Sequence, residues 1–99
     1  YHEELFGPAA AIIRVRDEAD AARVANDTSF GLGASVWTSD RDRGEAFARG
    51  IQAGAVFVNA LVRSDVRLPF GGTKQSGFGR ELASHGIHEF TNIKTIYVD

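Results

Sequence analysis

A chain of 99 residues suits one small domain, and its 43% hydrophobic and 24% charged residues are ordinary globular values. A net charge of −2 gives no electrostatic footprint for nucleic acid or an anionic membrane as partner, and no apolar run nears the ~20 residues of a membrane span. With no cysteine, these residues offer no disulfide, no thiolate metal site and no cysteine nucleophile, a composition compatible with a cytoplasmic setting.

The chain also lacks methionine and opens on Tyr1-His2-Glu3-Glu4, which points to a segment of something longer. Residues 11–15 (AIIRV) are short, apolar and partly β-branched and read as a strand. Asp17 is placed to cap a helix over 18–26, with Ala19, Ala22, Val24 and Ala25 as its inner face. FGLG at 30–33 ends that helix, and ASVWT at 34–38 reads as a second strand with Trp37 in the core. Ser39 or Asp40 caps a second helix, Ser39 and Asp42 having capping-box spacing. Phe47 and Ile51 lie one turn apart on its buried side, and Gly54 is placed to stop it. AVFVN at 55–59 is the most apolar strand, expected to be central and covered on both faces.

Residues 60–79 show almost no periodicity, and a connection of that length is usually functional or disordered. A short helix is expected from Arg80 or Glu81 to Gly86, then a closing strand over 93–98. His85 and His88 are three apart, but Gly86 lies between them and no third ligand is in view, so no metal site is expected. The alternation of strands and helices gives an α/β fold with a mainly parallel sheet. The closing strand has no evident home in so small a sheet and is expected to pair with another sheet or another subunit.

The glycine-rich stretch LPFGGTKQSGFGRE at 68–81 raises the question of a phosphate site. From Gly72 a Walker spacing reaches Gly77, but Phe78 and Gly79 follow where Lys and Ser/Thr are needed. Gly77-Phe78-Gly79 starts a dinucleotide fingerprint, but Leu82 stands at the third glycine and no strand leads in. Neither pattern fits. What remains is a tight loop in which Pro69 fixes the backbone, Gly71 and Gly72 permit positive φ, and Phe70 is presented as an exposed or pocket-facing ring.

EELFGP at 3–8, FGLGASV at 30–36, GAVFVN at 54–59, and PFGG through Lys74, Ser76-Gly77 and Gly79-Arg80-Glu81 together resemble the aldehyde dehydrogenase family, in order and in spacing. The resemblance covers essentially the whole chain. It implies the C-terminal part of that family's catalytic domain over 1–91 and an oligomerisation strand over 92–99. It also implies an upstream cysteine whose thiolate attacks an aldehyde, hydride transfer to NAD or NADP, and hydrolysis of the resulting thioester. The cofactor would be bound mostly by upstream residues, so these 99 residues alone are expected to be inactive.

In the same resemblance Glu4 is the position that accepts hydrogen bonds from the nicotinamide ribose, a task that suits an acceptor-only carboxylate. Taken alone it would read as a solvated acid beside Glu3. Phe6 is the position beside the nicotinamide end, and Phe70 resembles the aromatic wall of the substrate tunnel. Ser64 stands where members handling bulky apolar aldehydes commonly offer another ring. With Arg63 and Arg67 nearby, its hydroxyl suits the distal carboxylate of a short acid-aldehyde, and the stretch is similar to succinate-semialdehyde dehydrogenases. Arg63 and Arg67 read equally well as solvated loop charges balanced by Asp65. The implied partners are a small-molecule aldehyde, the rest of a parent chain, and a second copy through the final strand as a homodimer or homotetramer. Two alternatives stand beside this reading: a non-catalytic interaction module, and a dehydrogenase for an uncharged or betaine-type aldehyde.

Overall fold

Asp17 opens the first element. In the computed structural model, which describes residues 1–99, its carboxylate accepts the Asp20 N–H at 2.8 Å and caps α1 (Glu18–Asn26). The half-buried side of α1 runs through Ala21, Ala22, Val24 and Asn26, whereas Ala19 and Ala25, expected inside, are exposed. Asn26 turns the helix this way. Its side-chain amide donates to the Gly50 carbonyl and its side-chain carbonyl accepts the Gln52 N–H, both at 2.8 Å.

Two short strands follow, β1 (Phe30–Gly31) and β2 (Gly33–Val36). Trp37 falls just past β2 and is 64% exposed rather than in a core. Asp40, not Ser39, caps α2 (Arg41–Ala48), accepting the Arg43 N–H at 3.0 Å. The helix stops at Ala48, where turns back from Gly50 to Phe47 and from Ile51 to Ala48 unwind it, so Ile51 lies beyond the last turn. Gly54 therefore opens a strand instead of closing a helix. That strand, β3 (Ala55–Val58), runs parallel to β2 in the register Gly33–Ala55 through Val36–Val58.

α2 lies against β2 and β3, completing a β-α-β unit. Gly44 is buried at the contact, where a Cβ would sit 2.7 Å from Thr38 Cγ2 and 2.8 Å from Val58 Cγ1. An interior helical glycine costs about 1 kcal/mol relative to alanine, and close approach is the compensation. Within residues 60–79 one further strand forms, β4 (Thr73–Lys74), antiparallel to β1. The strands thus form two separate pairs, one parallel and one antiparallel, and not the single mainly parallel sheet expected.

The last helix, α3 (Ala83–Glu89), starts later than expected and passes through Gly86. A Cβ on Gly86 would come within 3.1 Å of the Glu81 backbone, so this glycine lets the helix fold back on its own lead-in. Leu82 and Ala83 make that lead-in at φ 66° and 50°, left-handed values that side chains rarely adopt. The strands expected at 11–15 and 93–98 do not form here, because neither stretch has a hydrogen-bonding neighbour within the chain, and both are exposed.

Only three residues are buried, Gly31, Gly44 and Gly72, so backbone rather than side chain fills the interior. A self-contained folded chain of this mass exposes roughly 5,500 Å² and has a radius of gyration near ~13 Å. The observed values are 8284 Å² and 17.3 Å. β3, expected to be covered on both faces, is accordingly only half-buried along its length.

The tightest of these backbone contacts joins Gly54 to the glycine loop, where a Cβ on Gly54 would lie 1.6 Å from the Gly71 carbonyl oxygen. Gly54→Ala is expected to destabilise the protein by about 3 kcal/mol, the upper range for overpacking. Gly50→Ala, whose nearest contact would be an ordinary 3.5 Å, is expected to change stability by less than about 0.5 kcal/mol. Urea unfolding midpoints of the two variants check this. The far ends of β2 and β3 are joined differently: Asn59, at φ 55°, accepts the Thr38 N–H and donates to the Thr38 carbonyl, each at 2.8 Å. Asn59→Ala removes both bonds and is expected to cost about 1–2 kcal/mol in the same measurement.

Candidate functional site

Glu4 reaches the wall of a cavity of ≈ 400 Å³ between the N-terminal arm and the β1–β2 region, which Leu32, Gln52 and Ser76 also line. The arm has no regular structure and is pinned by Tyr1, whose hydroxyl donates to the Asp27 carboxylate at 2.6 Å. That bond raises the tyrosine pKa and lowers that of the aspartate. Glu4 itself makes no hydrogen bond and no ion pair within the chain, so both its oxygens are free to accept. Phe6 is 96% exposed and is not part of this wall.

Phe70 lines a second cavity of ≈ 410 Å³, whose apolar side is built from Phe57, Leu68 and the rest of β3. The two cavities share no residue, so Glu4 and Phe70 are not brought to one site by this chain alone. Phe70 is held by its backbone: it exchanges two hydrogen bonds with Glu81, at 2.9 and 2.8 Å. Arg80 braces the same loop from inside, its Nη1 donating to the Gly72 carbonyl at 2.8 Å and the Gly79 carbonyl at 2.6 Å. The positive φ values of this loop fall at Lys74, Gly77 and Gly79, not at Gly71 and Gly72. Those two glycines serve close approach instead, since a Cβ would meet the Gly79 carbonyl at 2.5 Å from Gly71 and Ser76 Cβ at 2.6 Å from Gly72.

The polar side of the second cavity comes from Arg63 and Asp65. Ser64, between them in sequence, is exposed and does not line the cavity wall. Asp65 begins a turn closed by the Leu68 N–H on its carbonyl at 2.9 Å. Its carboxylate takes both arms of the Arg67 guanidinium, at 2.9 and 2.6 Å, and the Arg67 N–H at 2.9 Å. These bonds hold its carboxyl well below the usual carboxylate range. Arg67 is therefore a charge balanced by Asp65. Arg63 makes no hydrogen bond or ion pair.

Two roles went unread in the sequence. Lys74 donates to the carbonyls of Asn26 and Thr28 at 2.8 and 3.0 Å, tying the end of α1 to β4. Ser76 accepts the Gly31 N–H at 2.9 Å, closing the glycine loop over β1. Nothing local marks a lysine as a carbonyl cap, because its partners lie more than forty residues away. Asn59 left a trace: Asn directly after an apolar strand is among the few residues that tolerate left-handed φ.

The aldehyde dehydrogenase family model matches residues 1–96. Succinate-semialdehyde dehydrogenase [NADP(+)] 1 of Mycobacterium ulcerans is 52% identical over 98 residues, which cover 99% of this chain and 21% of that protein. A probable succinate-semialdehyde dehydrogenase [NADP(+)] of Synechocystis is 51% identical over 98 residues, 99% of this chain and 22% of that one. Among solved structures, succinic semialdehyde dehydrogenase from Streptococcus pyogenes in complex with NADP+ matches with a TM-score of 0.93 and 41% identity over 98% of this chain and 21% of its own. Betaine aldehyde dehydrogenase from Staphylococcus aureus in complex with NAD+ matches with a TM-score of 0.86 and 35% identity, over 90% of this chain and 18% of its own. The chain thus spans about a fifth of the length of the relatives it matches. With its motifs in order, nearly every residue inside the family model and its fold reproduced in solved members, this chain belongs to the aldehyde dehydrogenase family.

Proposed function

We propose that this chain is a C-terminal segment of an NADP+-dependent succinate-semialdehyde dehydrogenase, with catalytic-domain residues at 1–91 and an oligomerisation strand at 92–99. The observation that carries the substrate is the 52% identity to a succinate-semialdehyde dehydrogenase across 99% of the chain; among solved structures such an enzyme reaches 41% identity across 98%, against 35% across 90% for a betaine aldehyde dehydrogenase. The large exposed surface supports the segment reading, because apolar side chains such as Leu5, Ile12, Ile93 and Ile96 have nothing to pack on within these residues. The chain has no cysteine, so the nucleophile belongs to the remainder of the longer protein.

The residues fit the cofactor at one end. Glu4 presents an unpaired carboxylate to its cavity, and an acceptor-only group suits two ribose hydroxyls. When bound, the nicotinamide supplies the hydride acceptor. Glu4 fixes the ribose beside it, and Phe6, whose exposed ring is free to meet another surface, limits its swing. Phe70 walls the substrate cavity, excludes water and holds the aldehyde carbon in a fixed orientation. Ser64 does not line this cavity within the chain, and in this reading its exposed hydroxyl donates to the distal carboxylate of the substrate from beside the wall. The 92–99 strand pairs with a second copy, as a homodimer or homotetramer, which gives its unpaired backbone a partner.

In the full-length enzyme, kcat/KM for succinic semialdehyde is expected to exceed that for butanal by about 100-fold or more, as a pocket built for a carboxylate requires. Following NADPH formation with both substrates checks this, and near-equal values would overturn the substrate while leaving the family intact. Glu4→Gln keeps one acceptor but loses the charge, and is expected to raise the KM for NADP+ about tenfold. An unchanged KM would return Glu4 to a solvated acid.

A further inference from the structure

Two residues with side chains stand where glycine is the usual occupant. Leu82 has φ 66° and ψ 171°, a region that is essentially glycine's own, and Ala83 follows at φ 50°. Strain of this kind persists only where the surroundings over-determine the backbone, and here the contacts that do so bear on one cavity. On one side of the corner, Glu81 exchanges two hydrogen bonds with Phe70, at 2.9 and 2.8 Å. On the other, the Ala83 N–H donates to the Val66 carbonyl at 3.1 Å. Val66 belongs to the turn closed by the Leu68 N–H on the Asp65 carbonyl, and Asp65, Leu68 and Phe70 all line the ≈ 410 Å³ cavity. α3 supports the corner from behind. The Gly86 N–H donates to the Leu82 carbonyl at 2.8 Å, and Gly86 lies bare against the Glu81 backbone.

We infer that Ala83 is a positioning residue: the left-handed corner it makes with Leu82 sets Phe70 and the 65–68 turn against each other and so fixes the width of the aldehyde cavity. This rests on the dehydrogenase reading above, in which Phe70 walls that cavity. Every contact named is made by residues 65–86 with one another. The corner touches no substrate and acts through backbone bonds to each part of the wall. A residue that takes left-handed φ keeps the two parts in register. A β-branched one, for which that region is an outlier, turns the Ala83 N–H away from Val66. Phe70 then moves relative to Leu68, and a misplacement of about 1 Å is enough to matter for a bound substrate.

The test uses the full-length enzyme and reads KM for succinic semialdehyde and KM for NADP+ side by side. KM does not depend on how much of a preparation is folded, so lost stability alone moves neither. Ala83→Val is expected to raise the aldehyde KM about tenfold and to leave KM for NADP+ within about twofold. Ala83→Gly takes φ 50° freely and is expected to leave both within about twofold. Phe70→Ala is the control on the wall and is expected to raise the aldehyde KM about tenfold as well. Should Ala83→Val fold poorly, Ala83→Thr carries the same branch with less apolar bulk and takes its place. An unchanged aldehyde KM in Phe70→Ala removes the wall, and the inference with it. With Phe70→Ala raised, an unchanged aldehyde KM in Ala83→Val leaves the corner to the fold alone, as does failure of both branched variants to fold beside a sound Ala83→Gly. A rise in both KM values makes the disturbance general. An Ala83→Gly enzyme as impaired as Ala83→Val shows that the backbone angle is not what matters, and it too overturns the inference.

Discussion

The cavity that Phe70 lines depends on one contact between bare backbones, the Gly71 carbonyl against the α-carbon of Gly54. No side chain larger than hydrogen fits between them, since a Cβ on Gly54 would stand 1.6 Å from that oxygen. The contact sets the distance from the glycine loop to the start of β3, and so the depth of the cavity that Phe70 and Phe57 enclose. The rest of the loop is arranged to keep it there. Ser76 and Thr73 reach Gly31, Arg80 holds the carbonyls of Gly72 and Gly79, and the Phe70–Glu81 pair closes the far side.

The density of glycine in this stretch is therefore a packing device and not an anion cradle. A phosphate loop would present its N–H groups to open space. Here the Phe70, Gln75, Ser76, Gly77 and Glu81 N–H groups are all spent on carbonyls of the chain itself. Among the glycines, positive φ falls only at Gly77 and Gly79, where nothing approaches and the chain simply has to turn. Different glycines in one short segment thus answer to two different physical demands.

Much of this was legible in the sequence. Asp17, the β-α-β order and the apolar run of β3 marked the α/β unit, because capping and hydrophobic periodicity are local effects. The failures were of two physical kinds. The strands expected at 11–15 and 93–98 have the right residues, but a strand needs a neighbour, and neighbours are not written into the segment itself. Trp37 and β3 look like core material, yet burial depends on what lies outside these residues as much as on the residues themselves. At the site, the family motif pointed to Glu4 and Phe70, and each lines a cavity. The division of labour between Arg63 and Arg67 was not legible, since spacing alone does not say which arginine Asp65 will hold.

The bracing of the glycine loop has one more consequence. Its fixed points lie within 69–81 or at Asn26, Thr28, Ser29, Gly31, Gln52 and Gly54, and none lies in 60–64. The residues that colour the cavity wall can therefore be exchanged while the frame that shapes it stays as it is. A hydroxyl, a ring or a cation can be tried at positions 63 and 64 without breaking a backbone hydrogen bond, whereas Val62 packs on the bare backbone of Gly33. Frame and wall are written in separate stretches of this chain, so the chemistry of the wall can change while the architecture is inherited unchanged.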